Sequence, residues 1–135
     1  MPFELSWEPA GVYRRYFGHV TIADRQRSLE RICADPRFDE LQFTITDYRD
    51  AERYDTSREA TAEIAALHVG PLMTNPNIVI AAVAVDERIV ASIQHFIGLG
   101  FITQPYRIFS TVAAARAWMA SQPPRLNPRA PHLPR

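Results

Sequence analysis

The chain has no lysine, a single cysteine at Cys33 and no long apolar run. One cysteine excludes a disulfide framework within the chain and points to a reducing compartment. No stretch approaches the roughly 20 apolar residues that span a bilayer. The N-terminus, MPFELSWEPAG, lacks the basic region and apolar core of a secretion signal. The expectation is a soluble, cytoplasmic protein. Without lysine, fifteen arginines face fifteen acidic residues, giving a formal net charge of zero. All-arginine usage reads as a mark of a GC-rich genome rather than of phosphate binding. The two signs are interspersed, and the concentrated positive footprint that nucleic acid requires is missing.

What is present is an ordinary globular composition, 47% hydrophobic and 22% charged in 135 residues, enough for one domain with a core of its own. Phe3–Glu8 alternates apolar and polar residues as a half-buried strand does. Pro9-Ala10-Gly11 supplies a turn into a second strand, Val12–Phe17, in an antiparallel hairpin. Thr21 with Asp24 is a capping box that opens a helix. In that helix Ile22, Leu29, Ile32 and Cys33 face the core, opposite Arg25, Arg27 and Glu30. Cys33 reads as a small core residue.

Leu41–Thr46 alternates again as a third strand, followed by a polar loop, Asp47–Asp55. Thr56 and Glu59 suggest a cap for the second helix, with Ala60, Ile64 and Leu67 inward and Gly70-Pro71 as a kink or stop. Ile78–Val85 is an unbroken β-branched run, the mark of a central parallel strand. Asp86 caps the third helix, striped with Ile89, Val90, Ile93, Phe96 and Ile97 and closed by Gly98 and Gly100. Tyr106–Phe109 is a last strand, and Thr111 caps a final helix carrying Val112, Ala115, Trp118 and Met119. The order β-β-α-β-α-β-α-β-α predicts an α/β domain over residues 1–121, with a mixed, mostly parallel five-stranded sheet and four helices. From Pro123 the sequence turns to five prolines and three arginines with no acid. A disordered tail is expected over 122–135.

Chemistry is scarce. His19, His68, His95 and His132 show no metal-ligand spacing and read as surface or edge residues; no metal and no cofactor is expected. Phosphate loops, dinucleotide fingerprints and nucleophile elbows are missing, so no catalytic residue is assigned and the expectation is a non-enzymatic protein. In open α/β sheets ligands lie beyond the carboxyl ends of the strands, where this chain places the polar groups Asp47, Arg49, Asp50 and Asp86. The stretch around Ile93, Phe96, Ile97, Leu99 and Phe101 is apolar beyond one stripe. It is the candidate surface for an apolar ligand, a membrane or a second copy of the chain.

Three segments carry a resemblance: Leu41–Asp47 with its Asp-Tyr-Arg-Asp continuation, the Thr-Asn-Pro-Asn-Ile turn at 74–78, and Arg107-Ile-Phe-Ser-Thr leading into the last helix. In these the chain resembles the bacterial SpoIIAA-like branch of the STAS fold, over about Phe3 to Met119. The resemblance implies a STAS-like sheet and a regulatory binding module with a protein partner. Its lipid-carrier side implies the alternative, a carrier of a small apolar or lipid-like molecule, with peripheral membrane contact through the third helix. Anti-sigma-factor antagonists of this fold carry a phosphorylated serine in an Asp-Ser-Ser-Gly-like motif. The matching stretch here is Asp55-Thr56-Ser57-Arg58, so the resemblance implies Thr56 and Ser57 as phospho-switch candidates, with Arg58 standing where that motif has glycine.

Overall fold

The two strands that open the chain form the hairpin their spacing predicts. In the computed structural model, which describes residues 1–123, β1 (Phe3–Glu8) and β2 (Gly11–Val20) run antiparallel, paired from Phe3↔Tyr16 to Glu8↔Gly11. The expected 122–135 tail lies, beyond Pro123, outside the described residues. Ala10 takes a positive φ of 60° in the two-residue turn. Gly11 follows it because the Phe43 ring occupies the place a Cβ would need.

The chain continues through α1 (Ile22–Ala34), a short 3-10 turn (Pro36–Glu40), β3 (Phe43–Tyr54), α2 (Arg58–Thr74), β4 (Val79–Val83), α3 (Glu87–Gly98), β5 (Tyr106–Phe109) and α4 (Val112–Ser121). The sheet order is β1-β2-β3-β4-β5, and every pairing after the hairpin is parallel. This is the expected mixed five-stranded sheet with four helices among the described residues. From β2 to β5 the chain steps across the sheet in one direction. Parallel crossovers are right-handed, so such a walk sets successive connecting helices on one face. Here α1, α2 and α3 share that face, while α4, which follows β5, packs on the other against β3, β4 and β5. β4 lies between the two layers and all five of its residues are buried.

Local chemistry sets the element ends. Thr21 and Asp24 form the reciprocal capping box of α1, and Asp86 and Thr111 cap α3 and α4, as expected. Three details differ from the sequence reading. Asp47–Tyr54 is not a loop but the second part of β3, paired with the end of β2 from Phe17↔Asp50 to Val20↔Tyr54. Its charged side chains from Arg49 to Arg53 point to solvent while Tyr48 and Tyr54 gather around Tyr16, with centroids 5.4 and 6.2 Å from it; cross-strand pairing satisfies the backbone that a polar composition had suggested was loop. Ser57, not Thr56, caps α2, accepting from the Ala60 amide at 3.0 Å. Finally, α2 runs through Pro71 to Thr74, and Leu67 lies on its exposed side.

The Thr74–Ile78 turn has a structural task. Asn75 is fully buried and donates through Nδ2 to the carbonyls of Phe38 and Leu41 at 2.9 and 2.8 Å. It ties the end of α2 to the segment that leads into β3.

Candidate functional site: a cationic cavity

Alternation along β2 directs Val12, Arg14 and Tyr16 to the side covered by α1 and α2. On α1, residues 25, 28, 29 and 32 share one helical face, and Arg25, Ser28, Leu29 and Ile32 are its buried residues. Arg25, expected on the solvent side with Arg27 and Glu30, is therefore a core residue, only 6% exposed. Between these elements lies a cavity closed by Ile64 and His68 of α2, by Ser92, Ile93 and Phe96 of α3, and by Tyr48, Tyr54 and Tyr106 of the sheet. The space open to water centres is about 40 Å³, room for roughly three molecules. A second compartment of about 50 Å³ adjoins it, sharing Arg14, Leu29, His68 and Tyr106. That compartment is walled chiefly by Ile32, Cys33, Phe38, Leu72, Ile78 and Ile80.

The electrostatics of this space are lopsided. Arg14 donates from Nε and Nη2 to Thr46 Oγ1 at 3.2 and 2.9 Å, and from Nη1 to Ser28 Oγ at 2.9 Å. Arg25 donates to the backbone oxygen of Asp55 at 3.2 Å. Both guanidinium groups lie over tyrosine rings, Arg14 at 5.1 Å from the Tyr16 centroid and Arg25 at 4.5 Å from that of Tyr54. Among the described residues no aspartate or glutamate lines either compartment. The tyrosines do not supply negative charge, because burial pushes Tyr54 and Tyr106 well above their ordinary range. Burial also lowers His68 to about 4, aided by the charges of Arg14 and Arg25. Its Nδ1–H donates to the Ile64 carbonyl at 2.7 Å, which fixes the neutral ring's orientation against Phe96, 5.2 Å away edge-on. A buried cation without a carboxylate is costly, and cation–π contacts offset only about 1–2 kcal/mol each. Arg25 is such a buried cation, and half-buried Arg14 sets a second positive charge beside the same void.

A seam of hydroxyls borders the cavity. Thr56 Oγ1 lies 2.9 Å from Ser92 Oγ and 3.2 Å from Thr61 Oγ1. Ser92 lines both the cavity and an outer groove between α2 and α3, where Thr56, Ser57, Arg58, Arg88 and His95 are found. Of the two phospho-switch candidates, Thr56 touches the cavity wall through Ser92, while Ser57, the cap of α2, lies in the outer groove.

The remaining candidates are dispersed. Asp47 is 2% exposed. It accepts Tyr13 Oη at 2.6 Å and two side-chain nitrogens of Arg49 at 2.8 and 3.0 Å. Burial pushes its carboxyl up, but those hydrogen bonds outweigh the burial and leave it below the usual range. Asp50 pairs with Arg15, and Asp86 is engaged by the Arg88 and Ile89 amides. These four polar residues do not converge on one site. Of the apolar group, Ile93 and Phe96 point inward and line the cavity, Ile97 and Leu99 are half-buried, and Phe101 is exposed.

Cys33 lines the apolar compartment with its thiol raised to about 11 by burial, so it stays protonated at neutral pH. His68, expected at the surface or an edge, is a cavity residue, whereas His19 is an exposed partner of Asp55. His132 lies outside the described residues. Among the described residues no three His, Cys, Asp or Glu side chains gather as metal ligands, and no helix is long and apolar enough to cross a membrane.

The sequence reading missed Arg14 and Arg25, although a signal for both was present. Arg14 alternates with Val12 and Tyr16, and Arg25 stands four and seven residues before Leu29 and Ile32.

No family model and no curated protein matches the chain in sequence. Solved structures do match in fold. The anti-sigma factor antagonist SpoIIAA in its unphosphorylated form superposes with a TM-score of 0.62 at 12% identity, covering 89% of this chain and 99% of that one. An uncharacterized protein from Shewanella loihica PV-4 with a SpoIIAA-like fold gives 0.52 at 15% identity, covering 87% and 91%. Sheet order, helix placement and these superpositions agree: the chain has the SpoIIAA-like, STAS fold.

Proposed function

We propose that this chain is a non-enzymatic regulatory binding module that holds a small ligand between its sheet and the layer formed by α1, α2 and α3. One observation carries the reading: buried Arg25 and half-buried Arg14 border one void, and among the described residues no carboxylate lines it. A purely structural core gains nothing from such an arrangement, since apolar residues of similar volume serve stability as well or better. The apolar residues of α3 that suggested a carrier serve here as a cover, with Ile93 and Phe96 over the void. The similarity to an anti-sigma factor antagonist supports a protein partner as the reader of the bound state. Native mass spectrometry of the full chain as purified tests the reading. A bound mass that is released on denaturation supports it. A ligand-free protein whose cavity resonances respond to no member of a small-molecule library overturns it.

A second reading draws on the rim. A phosphate on Thr56 or Ser57 would lie at the N-terminus of α2, in the groove that also holds Arg58, Arg88 and His95. Helix dipole and guanidinium groups both favour an anion there, and a phosphorylated Thr56 loses its present contact with Ser92. Phosphopeptide mapping of protein from its natural host decides it, and unmodified Thr56 and Ser57 under all growth conditions would remove it.

A further inference from the structure

The two compartments differ in a way that specifies more than occupancy. The first is polar at its walls and carries Arg14 and Arg25; the second is apolar and joins the first along Arg14 and Tyr106. Arg14 gives its hydrogen bonds to two hydroxyls and Arg25 gives one to a carbonyl, so both keep N–H donors beyond these contacts. Among the described residues neither pairs with a carboxylate, and Arg25 is almost wholly out of solvent. Water alone would leave both positive charges in a low-dielectric space, and it would also wet an apolar pocket that offers few hydrogen bonds. A neutral apolar molecule fills the second compartment but leaves the charge of the first uncompensated. A bare inorganic anion does the reverse.

We infer that the cavity binds a small organic anion with a short apolar chain, its anionic head between Arg14 and Arg25 and its chain in the compartment walled by Ile32, Phe38, Leu72 and Ile80. This rests on the reading of the cavity as a ligand site and adds the charge, polarity and size of what it holds. The head is a carboxylate or a similarly compact oxyanion, which a guanidinium meets with paired donors. The chain is short because each compartment admits only about three waters. The hydroxyl seam gives one route of access, since Ser92 lines both the cavity and the outer groove. Opening there parts Ser92 of α3 from Thr56.

The test uses the full chain with three probes, followed by calorimetry and by NMR of the aromatic and methyl signals of Tyr48, His68 and Ile80. Hexanoate carries both parts of the inferred ligand, 1-hexanol lacks the charge, and inorganic phosphate lacks the chain. Hexanoate is expected to bind saturably with shifts at these cavity signals, and the other two at least tenfold more weakly. Arg14→Met and Arg25→Met are each expected to weaken hexanoate at least tenfold while leaving 1-hexanol unchanged. Far-ultraviolet circular dichroism checks that each variant is folded, and if one fails the other carries the test. Equal affinity for hexanoate and 1-hexanol overturns the anionic head but leaves the cavity a ligand site. Phosphate binding as tightly as hexanoate overturns the apolar chain. If none of the probes moves the cavity signals, the inference fails, and with no response to a wider library the proposed function fails with it.

Discussion

The two faces of the sheet solve the problem of buried polar groups in opposite ways. On the face that α4 shares, Asp47 is deeply buried but saturated by Tyr13 and Arg49. Glu8 and Arg116 close the same side with a paired contact at 2.8 and 2.9 Å. On the face under α1 to α3, buried Arg25 and half-buried Arg14 pack against hydroxyls, a carbonyl and tyrosine rings, with no carboxylate on the cavity wall among the described residues. The first face satisfies its charges internally, as a structural core does. The second leaves charge to be satisfied by something else, and stability given up in one place is a common sign of function.

The difference can be broken by mutation. The largest effect is expected on the saturated face: Asp47→Ala strips Tyr13 and Arg49 of their acceptor and should cost roughly 3 kcal/mol, read from the urea midpoint. A loss under about 1 kcal/mol would mean that this face is not held by its ion pair.

Next comes His68. The unfolded chain takes up a proton near the ordinary value of 6.5, the native protein only near 4. The neutral buried form therefore favours folding fully above the unfolded value, and that contribution is lost as pH falls toward the folded one. Between about pH 7 and 5 the loss should be about 2 kcal/mol relative to His68→Gln, whose stability lacks this dependence. Parallel profiles for the two proteins would show that the cavity does not keep His68 neutral.

A smaller effect separates the two hydroxyls at the rim. Ser57→Ala removes the cap of α2 and should cost about 1 kcal/mol. Thr56→Ala, which leaves the cap in place, should cost less than about 0.5 kcal/mol, as for a surface contact. Thermal unfolding of the pair measures both, and a reversed order would assign the cap to Thr56.

The smallest change is the most diagnostic. Arg14→Met or Arg25→Met, with charge removed and volume kept, should shift stability by less than about 1 kcal/mol in either direction. A loss near that of Asp47→Ala would make these arginines structural and erase the distinction between the faces.

Much of the fold was legible in local pattern. The capping residues Thr21, Asp86 and Thr111, the buried run of β4 and the hairpin all follow from short-range chemistry that tertiary contacts did not override. The cap at Ser57 was misplaced by one residue because Thr56 and Ser57 are chemically equivalent as acceptors, and only the backbone conformation chooses between them. The second half of β3 was hidden because its outward positions are charged, and its inward tyrosines became intelligible only beside Tyr16. The candidate site was barely visible. Arg25 was assigned to solvent because arginine is seldom buried, although its spacing from Leu29 and Ile32 placed it inward.

The sequence by itself determined the order of elements, the caps of α1, α3 and α4 and the central strand, because periodicity and end chemistry act over a few residues. It also held, unread, the spacing of Arg14 with Val12 and Tyr16 and of Arg25 with Leu29, although arginine's usual exposure pointed Arg25 to solvent. Only the tertiary structure decided that the two arginines share one cavity and that no carboxylate reaches it. A charge's partner is set by packing across elements distant in the chain, and local pattern carries no record of that.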